Sequence, residues 1–361
     1  MPPKILDGKQ YAADLNAETK HEIEQITRPE IGYRKPGLAV ILVGDDPASH
    51  TFVNQKRKIC AEVGIQCEVH ELPVATDQDR LLTLIDRLNK ATHVDGILLQ
   101  LPLPKHLCKD NIIPYIDPSK DVDGIHPYNM GLLATGNARL VACTPAGIMH
   151  LLYKTEQELT GKKALVIGYS DIVGKPLSML LMQQGATVTC CSVTVKNLAF
   201  EVQQADIVIA AAGVLGLVKD FWLKPGSTVI DVGIHHVDTV KKDDQGIERK
   251  VTVIKGDVDT SSYSLANFMT PVPGGVGPMT VSMVAKNTQA ASVARQQNNN
   301  AMLDRGIFPM HRLKRKHLVS AAAAAAAADS TAQSTLSHQN GATSGQTAVK
   351  RVKIDYIQSF N

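Results

Sequence analysis

The chain has 361 residues, of which 44% are hydrophobic, 20% charged and only 4% aromatic, so it is a globular polymer long enough for two aliphatic-cored domains. No apolar run reaches the ~18 residues that cross a membrane, and the six cysteines form no Cys-x-x-Cys pair, which argues against zinc. The net charge of +3 hides an asymmetry: residues 289–361 carry nine Lys/Arg against three Asp/Glu, whereas residues 1–288 carry 29 against 32. Scattered cysteines suit a reduced intracellular setting. The start, Met1 to Asp7, shows neither a signal h-region nor a mitochondrial presequence, so a cytoplasmic address is expected.

In chain order, residues 5–24 alternate at helical spacing, and Pro36-Gly37 turns into the continuous apolar run Leu38–Val43, a buried parallel strand. Gly44 to Pro47 breaks it. The helix that follows, over 48–58, carries Ser49, Phe52 and Lys56 at i, i+3 and i+7, hence on one face. A strand at 66–71, an amphipathic helix near 78–89 and a strand within 94–104 come next, the last with Gln100 at its C-terminal end before two prolines. Repeated β-α order predicts a parallel sheet, with ligands beyond the carboxyl ends of its strands. Lys120-Asp-Val-Asp-Gly124 is a polar turn, and Thr144-Pro-Ala-Gly147 is expected to begin a helix reaching Lys154 and beyond, as a hinge between domains.

Strands at 162–168, 186–190, 205–211 and 227–234 form a βαβαβ series of the mononucleotide-binding kind. The first ends in Gly168-Tyr-Ser-Asp-Ile-Val-Gly174, a glycine turn that departs from G-x-G-x-x-G. The second ends in Cys190-Cys-Ser192, without the acid that holds the ribose of NAD. Pro271-Val-Pro-Gly-Gly-Val-Gly-Pro-Met-Thr280 combines fixed and permissive backbone, so it is expected as a shaped loop that opens onto a helix at 281–287. From about residue 300, an Asn/Gln run, eight alanines at 321–328 and a Ser/Thr/Gln/Gly stretch predict a disordered, low-complexity basic tail over 300–361.

Taken in order, Ser49…Phe52…Lys56, Gln100-Leu-Pro-Leu-Pro104, Lys120-Asp-Val-Asp-Gly124, Cys143-Thr-Pro145, the glycine turn, Asp231-Val-Gly-Ile234, Gly256-Asp-Val258 and the Pro271–Thr280 run resemble the methylenetetrahydrofolate dehydrogenase/methenyltetrahydrofolate cyclohydrolase family over residues 3–290. The resemblance implies a two-domain α/β fold. Its parts are an N-terminal folate and catalytic domain over 1–146, completed by a helix at about 279–296, and a Rossmann-like dinucleotide domain over 147–278. Homodimerisation through the second domain is also implied. The implied chemistry oxidises 5,10-methylenetetrahydrofolate with NADP or NAD, NADP being favoured, and hydrolyses the methenyl product to 10-formyltetrahydrofolate. By the same resemblance Lys56 is catalytic, with Gln100 positioning it, and Asp123 binds the pterin. Substrate contacts also fall to Ser49, Phe52, Leu99 and Leu101, and to the loop Pro271, Val272, Pro273, Gly274 and Gly275. Cofactor contacts fall to Gly168, Tyr169, Ser170, Ser192 and Ile234.

Three departures matter. Phe52 stands where the family has tyrosine, which removes a hydroxyl and a hydrogen bond worth ~0.5–1.5 kcal/mol. Tyr169 replaces a common arginine, and Cys191 a common histidine, so cofactor contacts are more altered than folate contacts. The alternative expectation is a dehydrogenase-impaired or non-catalytic folate-binding paralogue. The basic clusters at 311–317 and 350–353 read as solvated charge or, alternatively, as nuclear targeting or weak attraction to nucleic acid.

Overall fold

The computed structural model describes residues 2–31, 33–242, 248–259 and 265–297. The predicted disordered tail, with both basic clusters, lies outside the described residues. None of the described helices is long and apolar enough to cross a membrane.

The chain opens with β1 (Lys4–Ile5) and α1 (Gly8–Ile26), whose N-terminus is capped by the Asp7 carboxylate. β2 (Gly37–Val43), α2 (Pro47–Val63), β3 (Gln66–Leu72), α3 (Gln78–Lys90) and β4 (Gly96–Leu99) follow. They build a parallel sheet in the order β3-β2-β4. Every residue of β2 is buried, as its unbroken apolar sequence requires of a strand covered on both faces. Ile41, Leu81, Ile85 and Ile97 meet in the core beside it.

After the short α4 (Lys109–Ile112), α5 (Pro127–Ala134) and α6 (Cys143–Tyr153), a second alternating series begins. It runs β5 (Lys163–Ile167), α7 (Gly174–Gln183), β6 (Thr187–Cys191), α8 (Leu198–Gln204), β7 (Ile207–Ala210) and β8 (Thr228–Asp231). β9 (His235–Lys242) and β10 (Glu248–Lys255) pair as a separate antiparallel ribbon. β11 (Phe268–Met269) and the long α9 (Val276–Gln296) end the described chain. The second sheet is wholly parallel, in the order β1-β11-β8-β7-β5-β6.

Two boundaries differ from the sequence reading. Residues 4–5, grouped by sequence with the first domain, belong to the second sheet: the Lys4 and Leu6 N–H groups donate to the carbonyls of Asn267 and Met269 at 2.8 and 2.7 Å. The Pro271–Thr280 run is not loop throughout, because α9 starts at Val276. Pro278 is tolerated there because the first turn of a helix leaves its N–H groups without intrahelical partners. From that start α9 packs against α1, α2 and α6.

One buried cation ties the polar turn at 120–124 to the first sheet's helices. Lys120 is fully buried, and its Nζ donates to the carbonyls of Leu88, Asn89 and Ala91 at 2.8, 2.7 and 2.8 Å. These carbonyls lie in the last turn and at the C-cap of α3, where a cation is favoured. Burial pushes the ammonium down to about 8, and the three carbonyls favour keeping its proton. Replacing Lys120 by Met is expected to cost about 1.5–3 kcal/mol, the scale of hydrogen bonds to a charged group. Urea unfolding checks this, and an unchanged midpoint would contradict it.

Candidate active site

β2 ends at Gly44, and the Asp46 carboxylate caps α2 by accepting from both the N–H and the hydroxyl of Ser49 at 2.8 Å. The cap fixes where the helix begins, and Phe52 and Lys56, four residues apart, share one of its faces. Gln100 follows the last residue of β4, with its N–H bonded to Ile41 O. Its side-chain Nε2 donates to Leu101 O at 2.6 Å, so Oε1 is aimed at Lys56 and accepts from Nζ at 2.8 Å. Lys56 is only 8% exposed, and its Nζ stands 5.8 Å from the centroid of the Phe52 ring.

Electrostatically the amine belongs with Asp123. Burial lowers the Lys56 pKa, and the Asp123 charge partly restores it. Asp123 retains some exposed surface, yet its carboxyl is desolvated by its surroundings and rises to about 6, against the pull of Lys56. The two groups thus share one charge environment in which neither is comfortably ionised without the other. Asp121, two residues earlier, plays a structural part. Its Oδ2 accepts from the His126 N–H and from Asn129 Nδ2 at 2.8 Å, which locks the turn onto the start of α5. The Cys143 thiol, raised by burial, donates to Val122 O at 3.1 Å behind the turn.

The second group of expected residues lies at the C-terminal edge of the six-stranded sheet. Gly168 has φ +99°, and neither it nor Gly174 has room for a Cβ: Gly168 lies against Ala211 O, and Gly174 against Gly168 O. The glycine turn is therefore a backbone cradle at the start of α7. That helix has no side-chain cap and no acidic residue in its first turn, so its N–H groups suit an anionic group such as a pyrophosphate. Tyr169 is 55% exposed, and Ser170 Oγ accepts from Val173 N–H at 3.2 Å. Beyond β6 the hydroxyls of Ser192 and Thr194 are hydrogen-bonded to each other at 2.5 Å. Ile234 is exposed just after β8. One ion pair, Lys109 Nζ to Asp171 Oδ2 at 3.5 Å, joins α4 to the turn.

Two carboxylates on this edge, Asp231 and Asp257, stand in motifs quoted from the sequence but without an expected role. Asp231 accepts backbone N–H groups from Gly233, Asp257 and Val258, while Asp257 accepts from Ala212 and Gly213 and pairs with His235 Nε2 at 2.7 Å. They shape the loops after β7 and β8. Thr270 Oγ1 accepts from the Asp231 N–H at 2.8 Å, and so seats the Pro271 loop on the same edge. In that loop Pro271 and Val272 are half-buried, Pro273 is exposed, and Gly274 and Gly275 are buried.

The structure thus joins Phe52, Lys56, Gln100 and Asp123 at one site, and gathers Gly168, Tyr169, Ser170, Ser192, Ile234 and the Pro271–Gly275 loop on one sheet edge. The Ser49 hydroxyl is engaged in the helix cap, and the Leu99 side chain lies in the core beside Ile97 and Ile112. Leu101, half-buried, offers its carbonyl to Gln100.

Comparison with known proteins agrees with both halves. Residues 6–123 match the catalytic domain of the tetrahydrofolate dehydrogenase/cyclohydrolase family, and residues 142–296 its NAD(P)-binding domain. The bifunctional protein FolD of Acetivibrio thermocellus is 45% identical over 293 residues, which is 81% of this chain and 98% of that protein. The crystal structure of the bifunctional FolD methylenetetrahydrofolate dehydrogenase/cyclohydrolase of Campylobacter jejuni is 43% identical, with a TM-score of 0.74 over 81% of this chain and 99% of that one. The Trypanosoma brucei methylenetetrahydrofolate dehydrogenase-cyclohydrolase, solved with NADP and an inhibitor, is 36% identical, with a TM-score of 0.75 over 81% of this chain and 98% of its own. This chain belongs to the tetrahydrofolate dehydrogenase/cyclohydrolase family.

Proposed function

We infer that the chain is a bifunctional enzyme of one-carbon metabolism. It oxidises 5,10-methylenetetrahydrofolate to the methenyl cation, and hydrolyses that cation to 10-formyltetrahydrofolate. The observation that carries this reading is the buried Lys56–Gln100 pair at 2.8 Å, set beside Asp123.

Hydrolysis needs a group that moves protons near neutrality. Of the attacking water's two protons, one ends on the departing ring nitrogen and the other leaves for solvent. An exposed lysine, with a pKa of about 10.4, stays charged and is a poor acceptor. Burial lowers Lys56 and makes the neutral amine more accessible. Gln100 receives one amine hydrogen and so fixes where the nitrogen points. Asp123 suits the pterin's ring N–H and amino group as a paired acceptor, and its charge also holds Lys56 partly protonated, ready to return a proton. Phe52 retains an apolar face beside the amine without the hydroxyl of a tyrosine.

When bound, a nicotinamide dinucleotide supplies the oxidant that takes up the substrate's hydride. Gly168, Ser170 and the N-terminus of α7 are the groups suited to its pyrophosphate. Absence of a carboxylate at Cys190-Cys-Ser192 disfavours NAD, and the Ser192–Thr194 hydroxyl pair offers donors to a phosphate, which supports NADP. With Tyr169 in place of a cation, that phosphate is held by hydrogen bonds more than by charge, so the dehydrogenase is the weaker of the two activities. Homodimerisation through the second sheet is supported by β6, an edge strand whose Thr187, Thr189 and Cys190 are exposed.

Purified protein assayed for methenyltetrahydrofolate hydrolysis should lose that activity on Lys56→Ala, while dinucleotide affinity is kept. Hydrolysis that survives the substitution would overturn the assignment of Lys56. In oxidation assays NADP should support a higher kcat/KM than NAD; the reverse order would reject the phosphate-site reading.

A further inference from the structure

Asp123 is useful only if its carboxylate faces the site, and nothing in the turn itself guarantees that. The main chain around it is held from outside. Asn287 lies on α9, 164 positions further along the chain, and is fully buried at 0% exposure. Its Nδ2 donates to Val122 O at 2.8 Å and to Val141 O at 2.9 Å, and lies 3.4 Å from Cys143 Sγ. The Val122 carbonyl and the Asp123 N–H belong to one planar peptide, so fixing the first fixes the plane from which Asp123 departs. The Cys143 thiol donates to the same carbonyl from the start of α6. On the other flank, Gly124 lies so close to the Val141–Ala142 backbone that a Cβ there would overlap it.

The helix that presents Asn287 is anchored independently of the turn. Thr280 Oγ1 donates to Thr144 Oγ1 at 3.0 Å, and Lys286 pairs with Glu22 of α1 at 2.6 Å. Asn287 Oδ1 has no hydrogen-bond partner among the described residues. An amide that leaves its own acceptor unsatisfied offsets much of what it adds to folding. What it supplies is the location of two carbonyls. We infer that Asn287 is a positioning residue for the folate reactions, acting through Asp123 by clamping the Val122 peptide against the start of α6. This rests on the reading of Asp123 as the pterin-binding carboxylate.

A double-mutant cycle on the full-length protein tests it, with KM and kcat for methenyltetrahydrofolate hydrolysis measured in wild type, Asn287→Ala, Asp123→Ala and the double variant. Retained NADP affinity and a cooperative melt certify each variant as folded. Should Asn287→Ala fail that check, Asn287→Ser, which keeps one donor, replaces it in the same cycle. Asn287→Ala is expected to raise KM roughly tenfold, the loss of one hydrogen bond to a charged partner, with a much smaller change in kcat. In the Asp123→Ala background the same substitution should leave KM unchanged. An equal KM increase in both backgrounds, or none in either, overturns the positioning role while the site reading stands. If Asp123→Ala alone leaves KM unchanged, the pterin reading itself fails.

Discussion

The site depends on taking one ammonium group out of water. Burial disfavours the charged form of Lys56, and the Gln100 carbonyl oxygen, which accepts from it, and the Asp123 charge, the largest of the opposing influences, moderate that cost. Each requires a scaffold. Gln100 presents Oε1 because its amide nitrogen is occupied by Leu101 O. Lys56 reaches it because α2, begun by the Asp46–Ser49 cap just after β2, carries Lys56 on a buried face while Gln100 follows β4, which pairs with β2. Asp123 has its turn anchored from behind, since the adjacent Lys120 and Asp121 are both drawn into the protein body. Two residues of the motif hold the turn, which leaves the third, Asp123, to share the charge environment of the amine.

A perturbed carboxylate does not by itself mark chemistry. Burial raises Asp231 to about 6, as it does Asp123. Asp231, however, is spent on three backbone N–H groups, and its neighbour Asp257 on two more and on His235. Those bonds fold the loops after β7 and β8, and leave no oxygen aimed at a substrate. Asp123 instead shares its charge environment with the buried Lys56 amine. Geometry, and not the size of the shift, separates the structural carboxylate from the reactive one.

Much of this was legible in the sequence. The apolar run at 38–43 could only be a doubly covered strand, and the i, i+3, i+7 spacing placed Ser49, Phe52 and Lys56 on one face without further information. The glycine turn, too, announced a backbone approached closely from several sides. What stayed hidden were contacts between distant residues. Two residues at Lys4–Ile5 carry no strand signal, and they join the second sheet only because β11 presents an open edge. The ribbon of β9 and β10 is dense in charge, which masks its alternation. The early start of α9 was obscured by a proline whose harm depends on its position in the helix. Asn287 gives no local signal, since its partners are Val122 and Val141.

The most direct measurement is an NMR titration of the Lys56 side-chain amine in the wild-type protein and in Asp123→Asn. In the wild type the expected pKa lies below that of an ordinary lysine, because burial outweighs the neighbouring carboxylate, and it is lower still in Asp123→Asn, where the stabilising charge is gone. An ordinary lysine pKa in both proteins would contradict it, since Lys56 would then be a solvated charge and not the proton-handling group of the site.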